Sequence, residues 1–280
     1  MGKKLGIIAG GGELPGRIID TCQKRRRAFH VIAIEGQADP NVIGNYPHTW
    51  LRLGAAQKAL EIARREAFEE IVMVGPVQRP SIAALRPDML AAKVLARAGG
   101  ASVMGDDGLL KAVIAQIEEL GFTVIGPDTF LKDGLEEPGV LGQCEPDESA
   151  ISDIRRGAHI LSQLGPADVG QGVVIQDNIV IAVEAVEGTD AMIARSKSLL
   201  RPGPGGILIK LPKPGQERRA DLPTIGPDTI TQMHDSGLRG LAIDARNTLL
   251  IDREETVRRA DSVEIFILAL DSEECSSDPS

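Results

Sequence analysis

Leu5-Gly-Ile-Ile-Ala-Gly-Gly-Gly-Glu-Leu-Pro15 joins a short apolar run to three glycines and a proline. The apolar run, Leu5 to Ala9, has the length and character of a buried strand. The glycines supply a tight turn, and Leu14 to Lys24 continues with the apolar spacing of a helix. The pattern recurs downstream. His30 to Glu35 reads as a strand, Thr49 to Leu53 as a short one, and Ala55 to Ala67 as a helix. Glu70 to Gly75 is a strand again, followed by the loop Pro76-Val-Gln-Arg-Pro80. Helices over Pro87 to Arg97 and Asp106 to Leu120, then a strand over Phe122 to Ile125, complete the series. Apolar strands alternating with helices predict a parallel sheet covered on both faces.

The rhythm breaks between Pro127 and Pro146. Gly134, Glu136, Glu137, Pro138 and Gly139 there read as an interdomain linker, assigned to residues 131–146. A second α/β unit over residues 147–270 starts with a helix, Ser149 to Leu164. A hairpin of strands, Gly172 to Gln176 and Ile179 to Glu184, turns at Asp177-Asn178, an Asx-rich joint suited to a two-residue turn. A helix over Asp190 to Leu200, a strand over Gly206 to Lys210 and a helix from Gly226 to His234 follow. Strands Gly240 to Asp244 and Thr248 to Ile251, a helix from Arg253 and a strand over Val263 to Leu268 end the unit. Residues 271–280, acidic and serine-rich, read as a disordered tail. The expected fold class is α/β: an N-terminal Rossmann-like parallel-sheet domain over residues 1–130 and a C-terminal α/β domain with a mixed sheet.

Composition narrows the function classes. The chain has 280 residues, a net charge of −9, 42% hydrophobic and 25% charged residues, which suits a globular protein with a sizeable core. The acidic balance and 2% aromatic content argue against nucleic acid as a partner. Cys22, Cys144 and Cys275 share no metal or redox spacing and read as unpaired thiols of a reducing compartment. The apolar run near the N-terminus is too short for a signal peptide, and no stretch approaches the roughly 20 apolar residues of a spanning helix. Cytoplasmic placement is therefore expected, and peripheral membrane contact is compatible with it.

Candidate site residues lie at strand ends. Gly10, Gly11 and Gly12 stand where backbone N–H groups could approach a phosphate at a helix N-terminus. Glu35 has the spacing of a ribose-binding acid, yet Pro15 replaces the third glycine of the dinucleotide fingerprint. A phosphate contact, a nicotinamide cofactor and a plain tight turn all stay open. Arg79 suits an anionic ligand, or is an exposed arginine beside a proline. Asp106 reads as a helix N-cap, with Asp107 beside it as a metal or substrate contact. The four histidines fall in no ligand or triad spacing, and serine-elbow, H-E-x-x-H and Walker A patterns are absent.

The second half is more specific. Gln171 sits between two glycines that permit close backbone approach. Glu184 and Glu187 flank a turn, and Gly188-Thr189-Asp190 opens a helix. Asp190 has the simple alternative role of offsetting the helix dipole. That role does not explain Glu184, which ends an otherwise apolar strand. Carboxylates clustered in one loop suit Mg²⁺, a hard cation that takes oxygen ligands and substrate phosphates. Lys210, Lys213, Gln216, Arg218 and Arg219 then lead to Asp221, in a segment stiffened by Pro212, Pro214 and Pro223. Cations around an aspartate suit a diphosphate with a metal or general base alongside, and a solvated basic loop is the bland alternative.

At these residues the chain resembles the LpxI-type UDP-2,3-diacylglucosamine hydrolases of lipid A biosynthesis, from Leu5 to about Leu268. The resemblance rests on Leu5 to Pro15, Gly105-Asp-Asp-Gly108, Asp168-Val-Gly-Gln-Gly172 and Val183-Glu-Ala-Val-Glu-Gly-Thr-Asp-Ala-Met192. Lys210, Lys213-Pro-Gly-Gln216, Arg219-Ala-Asp-Leu-Pro-Thr-Ile-Gly226 and Gly237-Leu-Arg-Gly-Leu-Ala242 extend it. It implies cleavage of the pyrophosphate bond to give 2,3-diacylglucosamine 1-phosphate (lipid X) and UMP. It also implies Mg²⁺ dependence, two domains with the lipid-linked nucleotide sugar between them, and a homodimer. The essential aspartate of the family maps onto Asp221, and Glu217 stands where an aspartate is expected. Asp221, Lys213 and Arg219 are thus the expected catalytic residues, and Glu184, Glu187, Asp190 and Asp221 the expected metal ligands. Substrate contacts are assigned to Gly10, Gly11, Gly12, Arg79, Asp107, Gln171, Gly188, Thr189, Lys210, Gln216 and Thr224. Two rivals stand beside this reading. One is a nicotinamide-dependent oxidoreductase, which lacks an evident catalytic His, Lys or Tyr. The other is a non-catalytic sensor of a nucleotide sugar or lipid phosphate.

Overall fold

Strand β1 (Leu5–Ala9) is buried because both of its edges and both of its faces are covered. The computed structural model describes residues 2–78, 82–98, 106–131 and 135–271. Its contacts divide the chain into two units, Met1–Phe130 with Glu217–Asp221, and Leu131–Gln216 with Leu222–Ser280.

In the first unit β2 (Phe29–Ile34), β3 (His48–Leu51), β4 (Glu70–Val74) and β5 (Thr123–Val124) join β1 in the order β3-β2-β1-β4-β5. Every pairing is parallel. The order reverses between β1 and β4, as in doubly wound nucleotide-binding folds. The helices are α1 (Leu14–Lys24), α2 (Pro40–Ile43), α3 (Ala56–Arg65), α4 (Ile82–Leu85), α5 (Met89–Arg97) and α6 (Asp106–Glu119). α1 buries Ile18, Ile19 and Cys22. Ile62 of α3 and Phe68 pack with Ile32, Leu51 and Ile71 of the sheet. α5 starts at Met89 rather than Pro87 because Asp88 is its N-cap, accepting from the Ala91 N–H at 2.9 Å. Arg79 and Gly105 lie outside the described residues.

The second unit contains β6 (Gly139–Leu141), α7 (Glu148–Leu164), β7 (Gly172–Gln176), β8 (Ile179–Val183), α8 (Thr189–Ser196) and β9 (Gly206–Lys210). After these come β10 (Thr224–Ile225), α9 (Pro227–Asp235), β11 (Leu238–Asp244), β12 (Leu249–Leu250), α10 (Arg253–Ser262) and β13 (Phe266–Leu270). The main sheet has the order β6-β13-β11-β9-β7-β8. β9, β11 and β13 are mutually parallel, while β6 and β7 run antiparallel to their neighbours. Alternation along the strands separates two cores. Val174, Leu208, Leu241, Ile243 and Ile267 meet Met192, Ile193, Ile230 and Met233 of α8 and α9. Val173, Ile175, Ile207, Ile209, Ala242 and Phe266 meet Ala150, Ile154, Ala158 and Leu161 of α7. The result is a helix–sheet–helix sandwich with a mixed sheet.

Three details depart from the sequence reading. Residues 139–141, inside the expected linker, form β6, an edge strand paired with β13. Glu136, in the same stretch, is buried and paired with Arg253 at 2.9 Å. Gly, Pro and charge are tolerated at a sheet edge, so their presence marked a pause in the α/β rhythm without excluding a strand. The last strand runs over Phe266–Leu270, because α10 extends to Ser262 and Glu264 then takes a left-handed conformation, φ 56°. β12 pairs with β10 in a separate two-stranded ribbon.

The hairpin turn is built as expected. Asp177 and Asn178 both have positive φ, 52° and 59°, as a type I′ turn requires. Asp153 of α7 is buried beneath it and accepts from the Asp177 N–H at 3.1 Å and the Asn178 N–H at 2.5 Å. Replacing Asp153 by Ala removes both acceptors and is expected to cost about 2–4 kcal/mol of stability in urea unfolding, with Asp153→Asn losing less. Equal stability of Asp153→Ala and wild type would refute this account of the turn.

Candidate functional site

Register places the first cluster. Gly172 of β7 lies opposite Lys210 of β9. On its other side the Glu184 N–H donates to the Gly172 carbonyl at 2.8 Å. Glu184, Gly172 and Lys210 therefore form one row across three strands, and residues paired in a row point to the same face. A bulge sets this row. The pairing runs Ile175↔Val180 but Val174↔Ala182, so one extra residue is taken up on β8. An unbroken hairpin would instead place Val183 opposite Gly172. Glycine in the middle leaves a gap, and a Cβ there would stand 2.8 Å from Glu184 Oε2. Gly170 is required as well: its φ is +48°, and a Cβ would stand 2.0 Å from the Glu184 carbonyl oxygen.

Thr189, the first residue of α8, closes the gap. Its hydroxyl donates to Glu184 Oε1 at 2.8 Å and accepts from Lys210 Nζ at 2.8 Å. Glu184 Oε2 accepts from the Gln171 N–H at 3.3 Å, and Lys210 Nζ also reaches the Thr224 carbonyl at 3.5 Å. Glu184 is 7% exposed and Lys210 6%, so two opposite charges are kept out of water through one hydroxyl. The network continues along the loop after β9. Gln171 Oε1 accepts from Gln216 Nε2 at 3.2 Å, and Gln216 Oε1 accepts from the Lys213 N–H at 2.8 Å. Lys213 Nζ is ion-paired with Asp168, whose backbone is left-handed at φ 56°.

A second cluster lies in the first unit. Asp107 Oδ1 accepts from the Glu217 N–H at 2.9 Å, and Asp107 Oδ2 pairs with Lys111 at 2.6 Å. Arg219 pairs with Glu217 at 2.8 Å and with Glu118 at 2.6 Å. The Asp221 N–H donates to the Glu217 carbonyl at 3.0 Å. The Arg219 guanidinium holds the Glu217 carboxyl below the usual range, and Glu217 in turn raises the arginine further. The loop bearing Asp221 is thus tied to α6.

The structure brings together Gln171, Glu184, Thr189, Lys210, Lys213, Gln216 and Thr224, and separately Asp107, Arg219 and the Asp221 loop. The other assigned residues have the following surroundings. Arg219, expected at a phosphate, has its donors on Glu217 and Glu118, because a planar fork beside two carboxylates pairs with them. Glu187 pairs with Arg195 at 2.8 Å, and its own N–H with that arginine lowers its carboxyl. Asp190 is exposed in the first turn of α8, two residues after the N-cap Gly188. Among the described residues no three His, Cys, Asp or Glu side chains gather where a metal could sit.

In the glycine loop two of the amides have backbone partners. The Gly10 N–H donates to the Val74 carbonyl and the Gly11 N–H to the Pro76 carbonyl, both at 2.8 Å. A Cβ on Gly75 would stand 2.3 Å from the Gly11 carbonyl oxygen. These glycines serve the close approach of two turns. Gly12 has φ +72° and continues the same turn. Sequence reasoning missed the partners Asp168 and Glu118. Asp168 had a signal, an Asp able to adopt left-handed backbone just before a glycine-rich run. Glu118, on the last turn of a helix, had none.

Comparison with known proteins gives a family. The LpxI N-terminal domain matches residues 4–134, and the LpxI C-terminal domain matches residues 137–268. The UDP-2,3-diacylglucosamine pyrophosphatase LpxI of Caulobacter vibrioides is 37% identical over 278 residues, covering 97% of this chain and 99% of that protein. Among solved structures, an Aspergillus clavatus N5-carboxyaminoimidazole synthase in complex with ADP and 5-aminoimidazole ribonucleotide aligns with 71% of this chain and 44% of its own, at 10% identity. Its TM-score of 0.24 is too low to bear on fold or function. With both domain matches and a full-length relative, the chain belongs to the LpxI family.

Proposed function

We propose that the chain hydrolyses the pyrophosphate bond of UDP-2,3-diacylglucosamine to 2,3-diacylglucosamine 1-phosphate and UMP, in lipid A biosynthesis. The observation that carries this reading is 37% identity, over nearly the whole of both chains, to a protein named for that activity. The two polar clusters are chemically suited to it. Hydrolysis adds water across the P–O–P bridge. A hydroxyl joins one phosphorus, the bridging oxygen stays on the other, and the released proton needs an acceptor. Asp221 is the assigned acceptor or orienter of that water. Lys210 and Lys213 supply positive charge toward the phosphate oxygens as the bridge breaks. Arg219 has a different role in this reading. Through Glu217 and Glu118 it holds the loop that carries Asp221.

Magnesium enters the proposal with the substrate rather than in a prebuilt cage. Mg²⁺ keeps several waters and takes only one or two carboxylates beside substrate phosphates, so Asp221 alone can serve. When bound, the ion supplies charge neutralisation at the diphosphate. A homodimer, and peripheral contact with the cytoplasmic face of the inner membrane, belong to the same proposal. Among the described residues no helix is long and apolar enough to cross a membrane. The nicotinamide reading is less well supported, since the Gly10 and Gly11 amides are engaged with backbone carbonyls.

Two measurements test the proposal. Asp221→Ala is expected to lower UMP release by about 10³-fold. Its circular dichroism and melting temperature should stay near wild type, and a fully active variant would sink the assignment. Stripping divalent cations with EDTA should abolish turnover of the wild type, and Mg²⁺ should restore it. Turnover that persists in EDTA would remove the metal from the mechanism while leaving the hydrolase.

A further inference from the structure

We infer that Thr189 and Glu184 are positioning residues for Lys210: the Thr189 hydroxyl, anchored by the Glu184 carboxylate, fixes the Lys210 ammonium for a substrate phosphate, and Glu184 ligates no metal. This rests on the hydrolase reading and assigns roles within the same site.

The direction of the hydrogen bonds carries the argument. A carboxylate only accepts and an ammonium only donates, so a hydroxyl between them has one possible orientation. It gives its proton to Glu184 Oε1 and turns its lone pairs to Lys210 Nζ, each at 2.8 Å. The second Glu184 oxygen accepts from the Gln171 N–H. Each oxygen thus has one protein partner, and the ammonium reached through Thr189 already offsets the carboxylate charge.

The place of Lys210 explains why an anchor is needed. Its ammonium sits beside the first residue of α8, and a helix N-terminus repels a cation. A lysine is a point charge on a flexible four-carbon stem that would swing away from such a place. Glu184, one row across the gap over Gly172, supplies the opposing charge, and Thr189 carries it to the ammonium. The arrangement holds a cation where an incoming phosphate meets both the ammonium and the helix N-terminus.

The test uses the full-length chain with UDP-2,3-diacylglucosamine and Mg²⁺, and Mn²⁺ titrated by electron paramagnetic resonance with UMP present. Thr189→Val keeps the shape but removes the hydroxyl. It should lower kcat by about 10–100-fold with a smaller change in KM, as loss of an outer-shell partner does. Thr189→Ser should recover most of the loss. Glu184→Gln should also lower kcat, yet leave the Mg²⁺ half-saturation and the Mn²⁺ affinity unchanged. Wild-type turnover by folded Thr189→Val, failure of Thr189→Ser to rescue, or weakened Mn²⁺ binding by Glu184→Gln would each overturn the inference. If Thr189→Val does not fold, the amide at position 184 still decides between anchor and ligand. Absence of UMP release from wild type would instead sink the hydrolase reading, and the Mn²⁺ titration would still report on Glu184.

Discussion

Two opposite charges withdrawn from water must meet, and in this chain they meet over a glycine. Lys210 lies on β9 and Glu184 directly follows β8, with β7 between those two strands. Strands lie about 4.8 Å apart, so the two backbones stand about 10 Å from each other. Long side chains can span that distance only if the intervening position carries no side chain, which Gly172 provides. Thr189 then replaces what would otherwise be a void or a trapped water. Neither charge is tolerable alone at this burial, because an unpaired buried ion costs several kcal/mol. The position of α8, the sequence around Gly170 and the register of β7 are all tied to this one requirement.

Register is the most demanding of these. Sheet side chains repeat every second residue, so a slip of one residue exchanges the faces of a strand. The bulge in β8 makes such a slip deliberately. On the turn side of it, β8 follows the register dictated by Asp177-Asn178. Beyond it, Ala182 enters the α8-facing core and Glu184 takes the place opposite Gly172. Without the extra residue the apolar Val183 would face Lys210 and the glutamate would lie on the other face. Bulges are common beside active sites for this reason, since they re-aim a side chain without rebuilding the sheet.

This explains what could and could not be read from the sequence. Strands β1, β4, β7 and β9 were legible because their burial writes itself into apolar runs, and the hairpin because positive φ at two consecutive positions selects Asp-Asn. Glu184 was noticeable as a charge ending an apolar strand. Its partner was not, because a bulge is a property of two strands together and leaves no mark in either alone. The same limit hid the pairing of Arg219 with Glu118, 101 positions earlier, and of Asp107 with the Glu217 amide, 110 positions later. A carboxylate in a promising loop looks the same in sequence whether it awaits a metal or is already occupied by an arginine, as Glu187 is by Arg195.

Glu217 shows how a local departure follows from such a pairing. The family resemblance places an aspartate there, and this chain has a side chain one methylene longer. In the structure its carboxylate grips Arg219 two residues on, with Oε1 2.9 Å from Nε and Oε2 2.8 Å from a terminal nitrogen. It also accepts from the Arg219 N–H at 3.2 Å, while its own N–H is held by Asp107. A two-pronged grip on a guanidinium so close in sequence needs reach, since the backbone must first turn back. The longer side chain supplies that reach. The residue is then better described as a clasp that closes the loop upon itself.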